Sequence, residues 1–101
     1  DENKWEYILR LYNQLIIIQY SSVIALNRTF AYGKVYGKEK AIVEAEKLGL
    51  QNNRYYHELL GYLYTDINNQ KAIAHYQKAI ALSKSANERA TLQKQIEQLV
   101  K

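Results

Sequence analysis

The stretch LLGYLYTDINNQKAIAHYQKAIA, residues 59–81, decides the fold. Its two ends carry small and aromatic residues at the three- and four-residue spacing of a helix face, and the turn-forming run DINN, residues 66–69, separates them. Gly61 and Ala72 are small enough to let two helices approach closely, and Tyr64 and Tyr76 would fill the space beside them. The stretch therefore predicts two antiparallel helices joined by a short turn.

The same periodicity continues in both directions and predicts four more helices. Upstream, apolar residues recur from Trp5 to Ile16, a serine pair at 21–22 opens a second helix, and a third spans about Lys38 to Leu48 and ends at Gly49. Downstream, Ser85 and Glu88 have capping-box spacing and open the last helix, each side chain bonding the other's backbone amide. The residues expected on the inner faces are Trp5, Ile8, Leu9, Tyr12, Leu15 and Ile16; Val23, Leu26, Asn27, Phe30 and Ala31; Ala41, Ile42, Ala45 and Leu48; Tyr56, Leu59, Leu60, Leu63 and Tyr64; Ala72, Ile73, Tyr76, Ala79 and Ile80; and Leu92, Ile96 and Leu99.

Six helices in 101 residues leave only short connections, which force neighbouring helices to run antiparallel. Leu60-Gly61-x-x-Tyr64 followed by Ala72-x-x-x-Tyr76-x-x-Ala79 is the tetratricopeptide pattern, and a looser copy lies upstream in residues 26–45. We predict an all-α fold of antiparallel helical hairpins, a tetratricopeptide-like α-α superhelix of about six helices. Residues 1–101 are expected to form a single repeat domain.

Composition narrows the class of protein. The net charge is +4, but the 14 basic residues are scattered among acids, whereas a nucleic-acid-binding surface usually concentrates them. Zero cysteines exclude disulfides and thiolate nucleophiles. The longest apolar run, residues 15–18, is far shorter than the roughly 20 residues that span a bilayer. We expect a cytoplasmic chain and, because it has no methionine, a piece of a longer protein.

The search for chemistry gives no catalytic, cofactor or metal site. His57-Glu58 begins like a helical zinc-protease motif, but Gly61 stands where the second histidine is needed. His57 and His75 fall on different predicted helices, and no carboxylate is obviously shared between them. We therefore expect a protein that is not an enzyme.

Seven residues are candidates for an interaction site or a structural clamp: Asn27, Arg28, Arg54, Tyr55, Tyr56, His57 and Tyr62. A polar pair inside an apolar helix must reach solvent or be satisfied by a carbonyl or carboxylate, so Arg28 is either a clamp between hairpins or a ligand contact. The tyrosines could stack on bases, although most fall on predicted inner faces, which leaves Tyr55 and Tyr62 for an exposed groove.

Several segments resemble a group of extracytoplasmic-function-type RNA polymerase sigma factors that carry a helical, tetratricopeptide-type C-terminal extension. The matching segments are Trp5 with Ile8 and Leu11-Tyr12, residues 21–28, residues 56–59, and the stretch from residues 79–82 through residues 87–89. Ala25-Leu26-Asn27-Arg28 is the most specific of them. Ser22 departs from the family, which commonly has proline there, and Thr29-Phe30 replaces smaller residues.

The resemblance implies a non-catalytic regulatory domain that acts in transcription initiation. Its partners would be its own sigma core domains or another regulatory protein, while the core domains, absent from this chain, would contact RNA polymerase and promoter DNA. Two alternatives stay open: a stand-alone tetratricopeptide-like adaptor that binds peptides, and a domain that binds nucleic acid directly with a salt-dependent affinity.

Overall fold

The computed structural model describes residues 2–100, which form six α-helices and no strand. The helices are α1 (Glu2–Ile18), α2 (Ser22–Tyr36), α3 (Lys38–Leu48), α4 (Arg54–Tyr64), α5 (Asn69–Leu82) and α6 (Ala86–Leu99). The all-α prediction and the number of helices are confirmed, and the third helix has the predicted bounds.

The chain divides into two compact units, Asp1–Gly49 and Leu50–Lys101. In the first unit α2 packs against both α1 and α3, and in the second α5 packs against both α4 and α6. Within each unit, consecutive helices therefore pair as hairpins, as the short connections predicted. The assignment of residues 1–101 to one repeat domain of a longer sigma factor stays a prediction.

The helix ends follow the local chemistry of the sequence, with one correction. The Ser21 hydroxyl accepts a hydrogen bond from the Ile24 amide at 3.1 Å, and Gly49 adopts the left-handed conformation that a C-cap needs, with φ 60°. The capping box is only half formed: the Glu88 amide donates to Ser85 Oγ, but the Glu88 carboxylate accepts from the Lys84 amide and not from that of Ser85. The Glu88 carboxylate therefore binds the backbone amide of the residue that precedes the N-cap Ser85.

The α4–α5 hairpin is packed through its glycine. A Cβ placed on Gly61 would lie 2.7 Å from the ring of Tyr76, closer than side chains approach one another, so only glycine fits there. Burial raises the pKa of Tyr76, and a hydrogen bond with the Thr65 side chain partly opposes the shift. The buried residues of this hairpin are Tyr56, His57, Leu59, Leu60, Gly61, Leu63, Tyr64, Ala72, Tyr76 and Ala79. The predicted role of small residues and tyrosines is confirmed.

The inner-face prediction is less accurate in the first unit. Val23 is 62% exposed, Asn27 is exposed and Leu15 is 39% exposed, although all three were predicted to face inward. Other positions predicted to face inward, such as Leu26, are buried. The helical period is therefore right, but the buried face of each helix is narrower than expected. Helix α1 contacts α2 and not α3. Much of the apolar surface of its described residues is therefore exposed to solvent.

Candidate functional site

Arg54 is the centre of a charged cluster at the start of α4. Asn53 begins the helix, because its side-chain oxygen accepts hydrogen bonds from the amides of residues 55 and 56 at 2.8 and 3.2 Å. One turn further on, Glu58 Oε2 accepts a hydrogen bond from Arg54 Nη1 at 2.6 Å. Glu88 Oε2, on α6, lies 3.7 Å from Arg54 Nη2, which is an ion pair but too long for a hydrogen bond.

Burial and like charge shape the electrostatics of this cluster. The Arg54 side chain is only 18% exposed. Desolvation raises the pKa of Glu58, and the Arg54 guanidinium opposes that rise, while the nearby Glu88 carboxylate adds to it. One guanidinium therefore faces two carboxylates, and the arginine keeps donor capacity at Nη2 for a further acceptor.

A cleft of about 330 Å³ opens beside the cluster. Its lining residues are Asn52, Asn53, Arg54, Tyr55, Leu82, Lys84 and Glu88. Tyr55 is 56% exposed, and the Arg54 guanidinium stacks over its ring at 4.3 Å. The cleft thus combines an aromatic wall, two cations, a carboxylate and amide side chains, which suit a polar peptide segment more than a small apolar molecule.

Two of the seven sequence candidates, Arg54 and Tyr55, line this cleft, and three others on α4 do not. Tyr56 and His57 are buried, at 2% and 1% exposed, and Tyr62 is half-buried. The sequence analysis missed Lys84 and Glu88 as cleft residues. The sequence predicts only a capping role for Glu88. Its three-residue spacing from Ser85 does not show that α6 brings it close to Arg54.

The buried His57 forms a pair with the half-buried His75 of α5, which the sequence analysis did not anticipate. The two Nδ1 atoms are 3.0 Å apart, and His57 Nε2 lies 2.8 Å from the carbonyl oxygen of Gln51. Since a carbonyl only accepts, His57 Nε2 carries a proton and donates it, and in the neutral pair His75 donates from Nδ1 to His57 Nδ1. The ring of Tyr64 stacks on His75 at 5.8 Å. The pair ties α4 to α5 and to the loop before α4.

The described residues bring no group of three or more histidine, cysteine, aspartate or glutamate side chains together as metal ligands.

The remaining candidates, Asn27 and Arg28, lie on α2 in the first unit. Asn27 is exposed, and Arg28 Nε donates to the side-chain oxygen of Asn13 on α1 at 2.6 Å. The guanidinium also lies 5.8 Å from the ring of Tyr32. Arg28 thus links two helices of one hairpin through an amide, whereas a backbone carbonyl or a carboxylate was the expected acceptor.

A second cleft, of about 400 Å³, lies in the first unit. It is lined by Glu6, Leu9, Arg10, Asn13, Val35 and Tyr36. None of the seven candidates lines it, although Asn13 borders it and holds Arg28. No helix among the described residues is long and apolar enough to cross a membrane.

Comparison with known proteins finds a similar protein but no matching family model. No protein-family model matches the chain, and no solved structure matches it. The chain is similar to an uncharacterized protein of Rhizobium meliloti (strain 1021), with 36% identity over 102 residues. That match covers 98% of this chain and 24% of the relative, so the chain spans about a quarter of the curated protein's length.

Proposed function

We propose that this chain is a non-catalytic regulatory and protein-interaction domain of an RNA polymerase sigma factor, acting in transcription initiation. The observation that carries the interaction half of the proposal is the Arg54 cleft, a polar opening with an aromatic wall. The sigma-factor half is supported by the resemblance in residues 21–28 and 56–59.

The cleft suits a segment of protein chain. A carboxylate or backbone carbonyl of the partner can accept from Arg54 Nη2, which Glu88 approaches only to 3.7 Å. Tyr55 offers an exposed ring, and the amide of Asn52 can pair with a peptide group. The partner is the sigma core of the same protein or a separate regulatory protein. Regulation requires that the cleft binds one state of the core more tightly than another.

The similarity to a relative about four times as long is in keeping with a domain of a larger protein. RNA polymerase and promoter DNA would be contacted by other domains of that protein. The alternative is a stand-alone adaptor that binds peptides and has no role in transcription, and the same cleft would serve it.

The test is transcription from a cognate promoter by reconstituted polymerase. The full-length sigma factor is compared with a version that ends just before Asp1, and with Arg54→Ala and Tyr55→Ala in the full-length protein. We expect truncation to change promoter-dependent transcription and each cleft variant to shift it in the same direction. Arg89→Ala is the matched control, because Arg89 is an exposed arginine of the same unit outside the cleft lining.

Unchanged transcription and unchanged regulation after truncation would refute the regulatory role and favour the adaptor. If truncation has an effect but Arg54→Ala, Tyr55→Ala and Arg89→Ala all behave as wild type, the domain acts through a surface other than the cleft.

A further inference from the structure

The hydrogen bonds of the His57–His75 pair fix where its protons lie. His57 is 1% exposed, and its Nε2 lies 2.8 Å from the carbonyl oxygen of Gln51. Because a carbonyl only accepts, His57 Nε2 carries a proton as long as this contact exists. The two Nδ1 atoms are 3.0 Å apart, a distance that requires one proton between them. In the neutral pair His75 supplies that proton, and His57 Nδ1 accepts it.

The pair can take up one further proton without breaking. His75 already donates from Nδ1, so its Nε2 is the nitrogen that takes up the first added proton. The resulting imidazolium still donates to His57 Nδ1, and a hydrogen bond from a charged donor is stronger than one from a neutral donor. A second added proton can go only to His57 Nδ1, which would set two N–H groups against each other at 3.0 Å. The contact therefore survives one added proton and is broken by two.

Aromatic rings of α4 flank both imidazoles. Tyr56 meets the His57 ring edge-on at 5.1 Å, and the Tyr64 ring stacks on His75 at 5.8 Å. Tyrosine side chains carry no charge in the pH range in which histidines titrate. On α5, Lys71 lies one turn before His75, and its Nζ is 5.4 Å from the centre of the Tyr64 ring. This lysine opposes the build-up of positive charge on the pair.

The other charged side chains of these helices do not favour a second proton either. Glu58, next to His57 in sequence, accepts a hydrogen bond from Arg54 at 2.6 Å, and Glu88 of α6 pairs with the same arginine. Between residues 50 and 100, lysine and arginine outnumber aspartate and glutamate by six to four. The remaining charged residues of the turn after α4, of α5 and of α6 are Asp66, Lys78, Arg89, Lys94 and Glu97, all exposed.

The pair also holds the segment that precedes α4. Gln51, whose carbonyl oxygen accepts from His57, is followed by Asn52 and Asn53, which line the Arg54 cleft. Asn53 also caps α4. One contact between two imidazoles thus joins α4, α5 and the backbone next to the cleft.

We propose that the His57–His75 pair is a pH-sensitive lock, which holds α4, α5 and the segment before α4 together at neutral pH and is released when both imidazoles are protonated. In an unfolded chain a histidine has a pKa of about 6.5, so two protons bind there at lower pH, whereas the intact lock binds one. Because the unfolded state binds more protons, stability falls as the pH drops below about 6.5. The lock does not require that the cleft binds a partner.

The first experiment counts the protons on the two histidines, which are the only ones in the chain. Long-range proton–nitrogen NMR spectra of the 101-residue chain distinguish the two neutral tautomers from the imidazolium, and His75→Asn assigns the signals. At pH 7.5 we expect His57 protonated on Nε2 and His75 on Nδ1, and at pH 5.5 a single imidazolium, His75. Two imidazolium rings in the folded chain at pH 5.5, or the same neutral tautomer for both rings at pH 7.5, would overturn the proposal.

The second experiment measures stability by urea denaturation at the same two pH values, followed by the backbone amide signals of α4 and α5. For wild type, an excess of one proton in the unfolded state should raise the unfolding equilibrium constant about tenfold at pH 5.5. His75→Asn should reduce this change to less than about threefold, because an amide can donate to neutral His57 Nδ1 or accept from its protonated form.

Gln77→Asn is the matched control for the second experiment, since it places asparagine at an exposed position of α5 and leaves both histidines in place. It should retain the tenfold change of wild type. If wild type shows no such change, the lock does not exist. If His75→Asn retains the full change, burial of His57 alone causes it and the pairing with His75 does not.

Discussion

Helices α1 and α4 have nearly the same average hydrophobicity, yet they are buried to very different degrees. Seven of the 11 residues of α4 are buried, whereas Leu9 is the only buried residue among positions 4–18 of α1. The difference lies in side-chain size. Helix α4 has Gly61, which lies against Tyr76 of α5, while α1 has neither glycine nor alanine. Small residues at a contact, more than apolar content, set how closely two helices pack.

The largest expected effect comes from truncating one leucine in each helix. Leu60→Ala removes a side chain that is 0% exposed and should lower the free energy of unfolding by about 2–5 kcal/mol. Leu11→Ala, at a site 47% exposed, should change it by less than about 0.5 kcal/mol.

Urea denaturation followed by far-UV circular dichroism measures both changes, and the fluorescence of Trp5, the single tryptophan, reports on α1 separately. Equal losses for the two variants would contradict the contrast between the helices.

The same contrast explains which parts of the fold could be predicted from the sequence. The buried side of α4 was predicted correctly, because Gly61 and the tyrosines around it specify a contact of fixed geometry with α5. In the first unit the predicted arc was too wide: Leu15 and Val23 were placed inside from their apolar character alone. Periodicity identifies an apolar face, but whether another helix covers that face depends on partners that periodicity does not specify.

The candidate site was predicted only in part, for a related reason. Arg54 and Tyr55 were singled out as a charge beside an aromatic residue on one helix, which is visible locally. Glu88 and Lys84 join them from at least 29 residues away in sequence, through the packing of α5 and α6. The contact between His57 and His75 also depends on the register between two helices, and neither partner shows it alone.

A smaller effect is expected from filling the glycine contact. Gly61→Ala places a methyl group 2.7 Å from the Tyr76 ring, which is 6% exposed and cannot swing into solvent. We expect a net loss of about 1–2 kcal/mol, because overpacking costs about 1–3 kcal/mol and the gain in helix propensity returns part of it.

The same denaturation assay measures the loss, with Gly61→Ala in a Tyr76→Leu background as the control. Removing the ring should turn the alanine substitution neutral or slightly stabilising. If Gly61→Ala destabilises both backgrounds equally, the contact with Tyr76 is not what requires glycine.

The smallest expected effect concerns Glu58, which extends the contrast to charged side chains. Burial raises the pKa of Glu58 above its usual 4.5, so its ionised form is disfavoured in the folded state. A raised folded-state pKa adds stability below the unfolded value, and that stability is lost as the pH rises through the folded value. Glu58→Gln should therefore compare more favourably with wild type at pH 7 than at pH 4. We expect the change to stay below about 1 kcal/mol, since Glu58 is partly exposed and the variant also loses the ion pair with Arg54.

The measurement is the difference in unfolding free energy between Glu58→Gln and wild type at the two pH values. Glu6→Gln, which replaces an exposed glutamate of α1, is measured alongside as the matched control. The opposite sign for Glu58→Gln, with the variant faring worse at pH 7, would mean that the attraction of Arg54 outweighs the cost of burial. In that case α4 would be held at its N-terminal end by the Arg54 ion pairs as well as by the close packing around Gly61.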